Sequence, residues 1–405
     1  MKPSLFLLAA SLLASPFTAF AGTLRVEPGA GAQDRLQSAL IEAKPGDTVE
    51  IAAGRYDLTD GLSLDVDKVT VRGAGAGAGA GSTILSFKGQ KGAGEGLLVT
   101  ADDVVLRGFA VEDSKGDGIK SKGANRIVYH DLRVEWTGGP KTTNGAYGIY
   151  PVESRDVLID RVTVKGASDA GIYVGQSENI IVRYSTAMFN VAGIEIENSY
   201  GADVYSNLAV HNTGGILVFD LPNLPKMGGH SIRVFSNRVD KNDTANFAPK
   251  GNIVAIVPVG TGILVMANKD VAVFGNAIGD NQSANVKLIS YPLPFTDTTY
   301  NPMPRNVTVR DNIHGTSGFN PAYGGSAEAN AMLAKGQFAV VWDGLGSAPP
   351  TIRVTDPVPL LSLGLPRQAA PSTEARPAPA DLSKTATMAE PTAITLPEAM
   401  EAAIR

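Results

Sequence analysis

Gly148-Ile149-Tyr150-Pro151, Gly171-Ile172-Tyr173-Val174, Gly193-Ile194-Glu195-Ile196 and Gly215-Ile216-Leu217-Val218 are four readings of one pattern, returning at steps of 23, 22 and 22 residues. A period of this length belongs to stacked coils rather than to hairpins or βαβ units. Each period also holds a second short run, such as Val157-Leu158-Ile159 or Ile180-Ile181-Val182, and a third, such as Val162-Thr163-Val164. The runs are β-branched, alternate with period two and are bounded by Gly, Asn, Asp or Ser, so they read as strands and not as helices. Three strands per coil, each pairing with its counterpart one coil later, define an all-β parallel β-helix. In Gly-Ile-x-Ile the isoleucines point inward, so Lys120, Tyr150, Tyr173, Glu195 and Leu217 are expected to form one outward column.

Outward from this repeat, the chain divides into three parts. Met1-Lys2, the apolar run Leu5 to Leu13 and the small-x-small Ala19-Phe20-Ala21 predict a signal peptide over residues 1–21 and a periplasmic or secreted protein. The β-helix is expected over 22–346, opened by a capping helix at Gln33 to Ala43 that covers the apolar end of the first coil. Residues 347–405 hold 10 of the 25 prolines and read as an extended tail with a short helix somewhere in Ala389 to Arg405. Loops are expected to leave the coils around Trp136 to Lys141, Leu221 to Gly229, Asp243 to Gly260 and Pro292 to Pro304, with one or two coils in the 47-residue step from Gly215 to Gly262.

Composition removes several functions. The formal charge is −5, and −6 once Lys2 leaves with residues 1–21, which argues against a nucleic-acid backbone as partner, since phosphate binding needs a concentrated basic surface. No run approaches the length of a membrane span, and the absence of cysteine excludes disulfides and thiolate metal sites. His130, His211, His230 and His314 are scattered, with no pair at metal-ligand spacing. The asparagines Asn190, Asn207, Asn212, Asn237 and Asn276 recur at turns, where their amides are expected to ladder from coil to coil.

The stretches Gly171 to Ser177, Gly193 to Ser199 and Gly215 to Pro222 resemble a family of exported right-handed parallel β-helix repeat proteins of Gram-negative bacteria, of the pectin-lyase-like superfamily. The resemblance spans roughly residues 23–345. It implies the fold, and a choice of activities among polysaccharide lyases, pectin hydrolases, alginate epimerases and a periplasmic maturation protein of a metalloenzyme. The Asp-Pro-His-Asp motif of the epimerases is missing, with only His130-Asp131 present, as are the paired aspartates and Gly-His-Gly of the hydrolases and the Asn-Gly-Gly-Glu of the lyases.

The outward columns therefore supply the candidates. Lys120 and Lys122 are placed to neutralise a sugar carboxylate or act as base, and Tyr150 and Tyr173 to act as acid or base. Glu153, Gln176, Asn198 and Asp220, each five residues after a motif glycine, stand with Glu195 and Glu197 as substrate-binding groups. Ca²⁺ is the one cofactor that this carboxylate set admits, with Glu153, Glu195, Glu197 and Asp220 as its oxygen donors. Binding or modification of an acidic polysaccharide, by lyase or C5-epimerase chemistry, is the expected function; a non-catalytic periplasmic module acting with a protein partner is the alternative.

Overall fold

The structure, a computed structural model, describes residues 21–92, 94–323, 326–335, 338–347 and 350–405. The expected signal peptide lies outside the described residues except for Ala21.

Among the described residues the strands pair in parallel except where Ala378–Ala380 runs antiparallel to Leu360–Ser362, and each motif strand meets the next in register: Ile119 with Ile149, Ile149 with Ile172, Ile172 with Ile194, Ile194 with Ile216. These isoleucines are wholly buried in one continuous core with the inward residues of the other faces, such as Val157, Ile180 and Ala202. The motif strands form one 12-stranded sheet, and the remaining faces are joined into a second sheet by the long strands Val105–Glu112 and Ile127–Glu135. The motif glycine is required by close approach rather than by its backbone angles. A Cβ on Gly171 would lie 2.7 Å from the Asn190 amide nitrogen and 2.9 Å from the Gly193 carbonyl oxygen.

Buried amides hold the coils together at the turns. Asn207, Asn237, Asn276 and Asn312 form one ladder, in which each Oδ1 accepts from the backbone N–H and the amide of the residue one coil earlier at 2.9–3.0 Å. Asn190, Asn212, Asn242 and Asn281 form a second. In both ladders a turn that would otherwise strand a backbone donor away from water satisfies it with a side chain.

At the start of the solenoid the helix Ala32–Glu42 buries Leu36 and Leu40 over the first coil, as the pattern predicts. The 47-residue step holds a single coil, because Ile216 pairs directly with Ile263 and both excursions, 221–229 and 243–260, are thrown outward. The solenoid also continues beyond the expected boundary at 346. Ile352–Val354 pairs with Arg305–Arg310, and Leu360–Ser362 pairs with Val340–Trp342, so one more coil forms despite the rise in proline content.

The remaining chain then runs back along the outside of the second sheet. Arg310 pairs with Glu390, the Ile394 N–H donates to Asp203, Arg183 makes a two-pronged ion pair with Glu401 at 2.7 and 2.9 Å, and Arg107 reaches the Ala403 carbonyl. Leu396 and Met400 bury against Val128, Leu158 and Ile181, the outward apolar residues of three successive coils. Of the terminal segment only Glu398–Ala402 is helical.

Candidate functional site

The outward column exists in the expected order. Lys120 is in register with Tyr150, Tyr173 with Glu195, Glu195 with Leu217, Leu217 with Leu264 and Leu264 with Lys287. Its exposure differs from that of an ordinary outer sheet face. Tyr173 is 4% exposed, Glu195 1% and Glu197 7%, because the 243–260 excursion lays Val254 and Val257 over the sheet and Pro292 to Pro304 adds Tyr300. Burying side chains the size of Leu217 and Phe219 beneath this cover contributes about 1.5–3 kcal/mol each, so the cover is a packed roof. Tyr147, Tyr150 and Lys120, one and two coils before Tyr173, are only partly buried and lie at its open edge.

Three tyrosines line that edge. The rings of Tyr147 and Tyr150 are 4.5 Å apart, Tyr147 and Tyr173 4.4 Å, and Tyr150 and Tyr173 5.0 Å. Lys120 Nζ sits 4.8 Å above the Tyr150 ring and pairs with Glu95 at 3.1 Å and Asp117 at 3.7 Å. Its charge is already matched by two carboxyl groups.

Behind the tyrosines lies a buried group of carboxyls. The Tyr173 hydroxyl donates to Glu197 Oε1 at 2.7 Å, Glu195 stands two residues before Glu197 on the same face of its strand, and Asn252 of the roof donates to Asp169 Oδ2 at 2.9 Å. Glu195 Oε2 is buried with no hydrogen-bond partner. Burial, and then the charges of Asp169 and Glu197, push the Glu195 carboxyl well above the ordinary range. Burial likewise raises Glu197, and it lifts Asp169, beside Glu197, to about 7 and Asp117 to about 6. The same burial drives Tyr147 and Tyr173 well up and Tyr150 to about 12. Like-charged carboxyls held out of water cannot all ionise, so protons remain on this cluster near neutral pH.

One consequence is a pH-dependent cost in stability. A carboxyl whose folded pKa is raised leaves the fold unpenalised below its unfolded value near 4; the cost grows as pH rises and is complete above about 7. Asp169→Asn removes that charge and retains an oxygen for Asn252. At pH 8 it is expected to stabilise the protein by on the order of 1–4 kcal/mol, and at pH 4 the difference should vanish, as thermal melts at the two pH values would show.

The second expected column is made of corner residues. Glu153, Gln176 and Asn198 adopt positive φ of 55°, 50° and 47° where the chain leaves the motif sheet. Asn198 donates to the Leu221 and Lys226 carbonyls and accepts from the Leu221 N–H, and Asp220 accepts from the Gly228 and Gly229 N–H groups. Their polar atoms anchor the 221–229 excursion. Glu153 and Lys122 are exposed, while Gln176 Oε1 is buried without a partner. The four carboxylates considered for Ca²⁺ do not converge, and among the described residues no group of three or more His, Asp or Glu is arranged to hold a metal ion.

Asp117, Tyr147, Asp169 and Asn252 were absent from the sequence-based candidates. Asp117 and Tyr147 each stand directly before a motif glycine, where later coils carry Ala170, Ala192 and Gly214, and Asp169 shares the outward parity of Tyr173. The two residues before each motif glycine include all three. Asn252 lies in an excursion without period, and no pattern marks it.

Coil, register and roofed outer face define a right-handed parallel β-helix protein with the pectin-lyase-like fold. Residues 72–225 match the family model described as "Right handed beta helix region". The fold is similar to that of the A-module of the mannuronan C-5 epimerase AlgE4 from Azotobacter vinelandii, at 15% identity and a TM-score of 0.50, covering 82% of this chain and 94% of that one. It is also similar to a family 28 exopolygalacturonase from Yersinia enterocolitica (14%, TM-score 0.51, 74% and 67%) and to the DFA-IIIase of Arthrobacter chlorophenolicus A6 (12%, TM-score 0.51, 83% and 100%). None of the curated proteins matches the chain. At these identities the likeness establishes the fold, and no described helix is long and apolar enough to cross a membrane.

Proposed function

We propose that the motif sheet of this protein carries a polysaccharide site, in which Tyr147 and Tyr150 take the sugar and the cluster of Asp169, Glu195, Glu197 and Tyr173 supplies acid–base chemistry. The observation that carries this reading is the buried group of Tyr173, Glu197 and Glu195, which keeps a transferable proton next to tyrosine rings at the open edge of the roof. Aromatic faces suit the apolar faces of sugar rings, and a carboxyl raised toward neutrality is a general acid at working pH. The chemistry is removal of the proton from the carbon next to a sugar carboxylate by an ionised carboxylate of the cluster. The electron pair left on that carbon then either forms a C=C bond as the protonated leaving oxygen departs or takes a proton back from the other face, with Tyr173 completing the proton path. Export to the periplasm or beyond belongs to the same reading and brings the protein to such polymers.

Charge then sets the pH at which an acidic polymer binds. With Asp117 and Asp169 ionised, the site repels a uronate and Lys120 stays paired; as pH falls through about 7 and 6 these carboxyls take up protons. The repulsion is lost, while Lys120 keeps its closer ion pair with Glu95 and the sugar carboxylate remains ionised. Binding of alginate or pectate is expected to tighten by about tenfold between pH 8 and pH 5.5, roughly the effect of 1.4 kcal/mol, as titration calorimetry would measure.

The testing experiment incubates the protein at pH 5.5 with alginate, pectate, glycosaminoglycans and neutral glucans and fructans. Ultraviolet absorbance, reducing ends and proton NMR then read elimination, hydrolysis and epimerisation separately. Turnover on one polymer class supports the reading. Silence on every polymer, with no binding in titration, sinks it and transfers the face to a non-catalytic module with a protein partner.

A further inference from the structure

The outward row does not end at the sugar-facing cluster. Three coils beyond Glu195, past the apolar steps Leu217 and Leu264, it places Lys287, 1% exposed. Lys287 Nζ lies 2.8 Å from Thr261 Oγ1, whose own proton is given to the Pro258 carbonyl, and 4.5 Å from the centroid of the Tyr323 ring. Among the described residues no carboxylate pairs with it. Burial alone lowers its pKa to about 7.

This amine faces a cavity of about 360 Å³, walled by Phe219, Ile253, Leu264, Met266 and Leu363 and rimmed by Ile256 and Ala370. A volume of that size holds about 12 water-sized groups. Its other polar features are few. The Tyr323 hydroxyl is buried with no hydrogen-bond partner, and Asp343 is engaged by Ser290 of the preceding coil and by Leu345, accepting from the Ser290 N–H and hydroxyl and the Leu345 N–H. A packed apolar cavity with one unpaired amine and one unpartnered hydroxyl is arranged for a ligand that is apolar along most of its length and polar at one atom.

We propose that this cavity binds a small aliphatic aldehyde or ketone and holds it as an imine on Lys287. A carboxylate ligand would add a charge beside Asp343 in apolar surroundings, whereas a carbonyl adds none. In the step, the Nζ lone pair attacks the carbonyl carbon, a C–N bond forms and the C=O π pair moves to oxygen. That oxygen gains a proton, nitrogen loses one, and the resulting carbinolamine expels its hydroxyl as water to leave C=N. The Thr261 hydroxyl, 2.8 Å from Nζ, is the group placed to relay the proton. Amine and carbonyl are thus converted to imine and water with no change of oxidation state. A desolvated lysine that no carboxylate pairs with retains the neutral amine that this attack requires. The site is separate from the polysaccharide face and does not rest on that reading.

The test treats the protein with octanal and cyanoborohydride at pH 7.5, which fixes any imine as a stable alkylamine, and maps the modified lysines by peptide mass spectrometry. Lys287 is expected to be alkylated at least tenfold faster than any other lysine. Lys287→Met should abolish that peptide's mass shift, and Ala370→Trp, which fills the cavity and keeps the amine, should slow it at least fivefold. Alkylation of Lys287 no faster than that of the surface lysines, or a rate untouched by Ala370→Trp, overturns the proposal. The second variant decides the matter even if the first does not fold.

Discussion

Glu197→Gln is expected to lower turnover of the polymer that the wild-type protein acts on by 10²-fold or more, with the melting temperature unchanged or raised. The amide keeps an oxygen for the Tyr173 hydroxyl, so the packing under the roof is preserved. What it removes is the titratable proton beside Glu195, and general acid–base catalysis contributes about 10²–10⁴-fold in the cases where it has been measured. Loss of a buried ionisable group carries no folding cost, since burial already disfavours its charged form. A variant that melts lower and loses activity in proportion would indicate a structural role for Glu197; one that melts normally and loses only the rate marks it as part of the chemistry. Initial rates at saturating polymer, together with a thermal melt, separate the two.

The second large effect falls on the ladder. Asn237→Ala is expected to destabilise the protein by at least about 3 kcal/mol, read as a shift in the denaturant midpoint. Asn237 accepts from the backbone N–H and amide of Asn207 and donates to the Val204 carbonyl and to Asn276, all at 2.9–3.0 Å and all buried. Alanine leaves several of these groups without partners, and each unsatisfied buried group costs about 1–3 kcal/mol. Arg238→Ala, the neighbouring exposed position, is expected to stay within about 0.5 kcal/mol of wild type. Equal effects at the two positions would show that the ladder is not what ties the coils together.

The repeat was legible because its physics is local. A 22-residue period with alternating isoleucines leaves one way to stack Ile149, Ile172, Ile194 and Ile216, and the outward order of Lys120, Tyr150, Tyr173, Glu195 and Leu217 follows from parity alone. The ladder asparagines were legible for the same reason, since they return at the period. The excursions were visible only as surplus length between coils. Where Val254, Asn252 and Tyr300 land depends on packing between distant segments, and with it went the burial of Tyr173 and Glu195 that turns an outer sheet face into a roofed carboxyl cluster.

The tail shows the same limit from the other side. Its prolines and small residues suggested an extended chain free of the solenoid, yet Ile352–Val354 and Leu360–Ser362 still find open strand edges. Leu396 and Met400 then find Val128, Leu158 and Ile181. The outward apolar residues of those strands were present in the sequence; that a segment more than 200 residues away covers them was not. Lys287 belongs to both categories. Its place in the column follows from the register, and the cavity in front of it is made by segments 253–258 and 363–375, which carry no repeat.

The most direct test of the sugar-site reading is the dissociation constant of an oligosaccharide from the selected polymer, measured by calorimetry at pH 5.5 for the wild type and for Tyr150→Ala. Tyr150 stands at the open edge of the roof, outside the buried carboxyl group, so its ring can be removed without unroofing Glu195. The account predicts weakening of tenfold or more, in line with about 1–2 kcal/mol of lost ring contact with the sugar, and a melting temperature lowered by only about a few degrees for the lost packing on Tyr147 and Tyr173. Equal affinity in the two proteins would contradict it and place any sugar elsewhere on the solenoid.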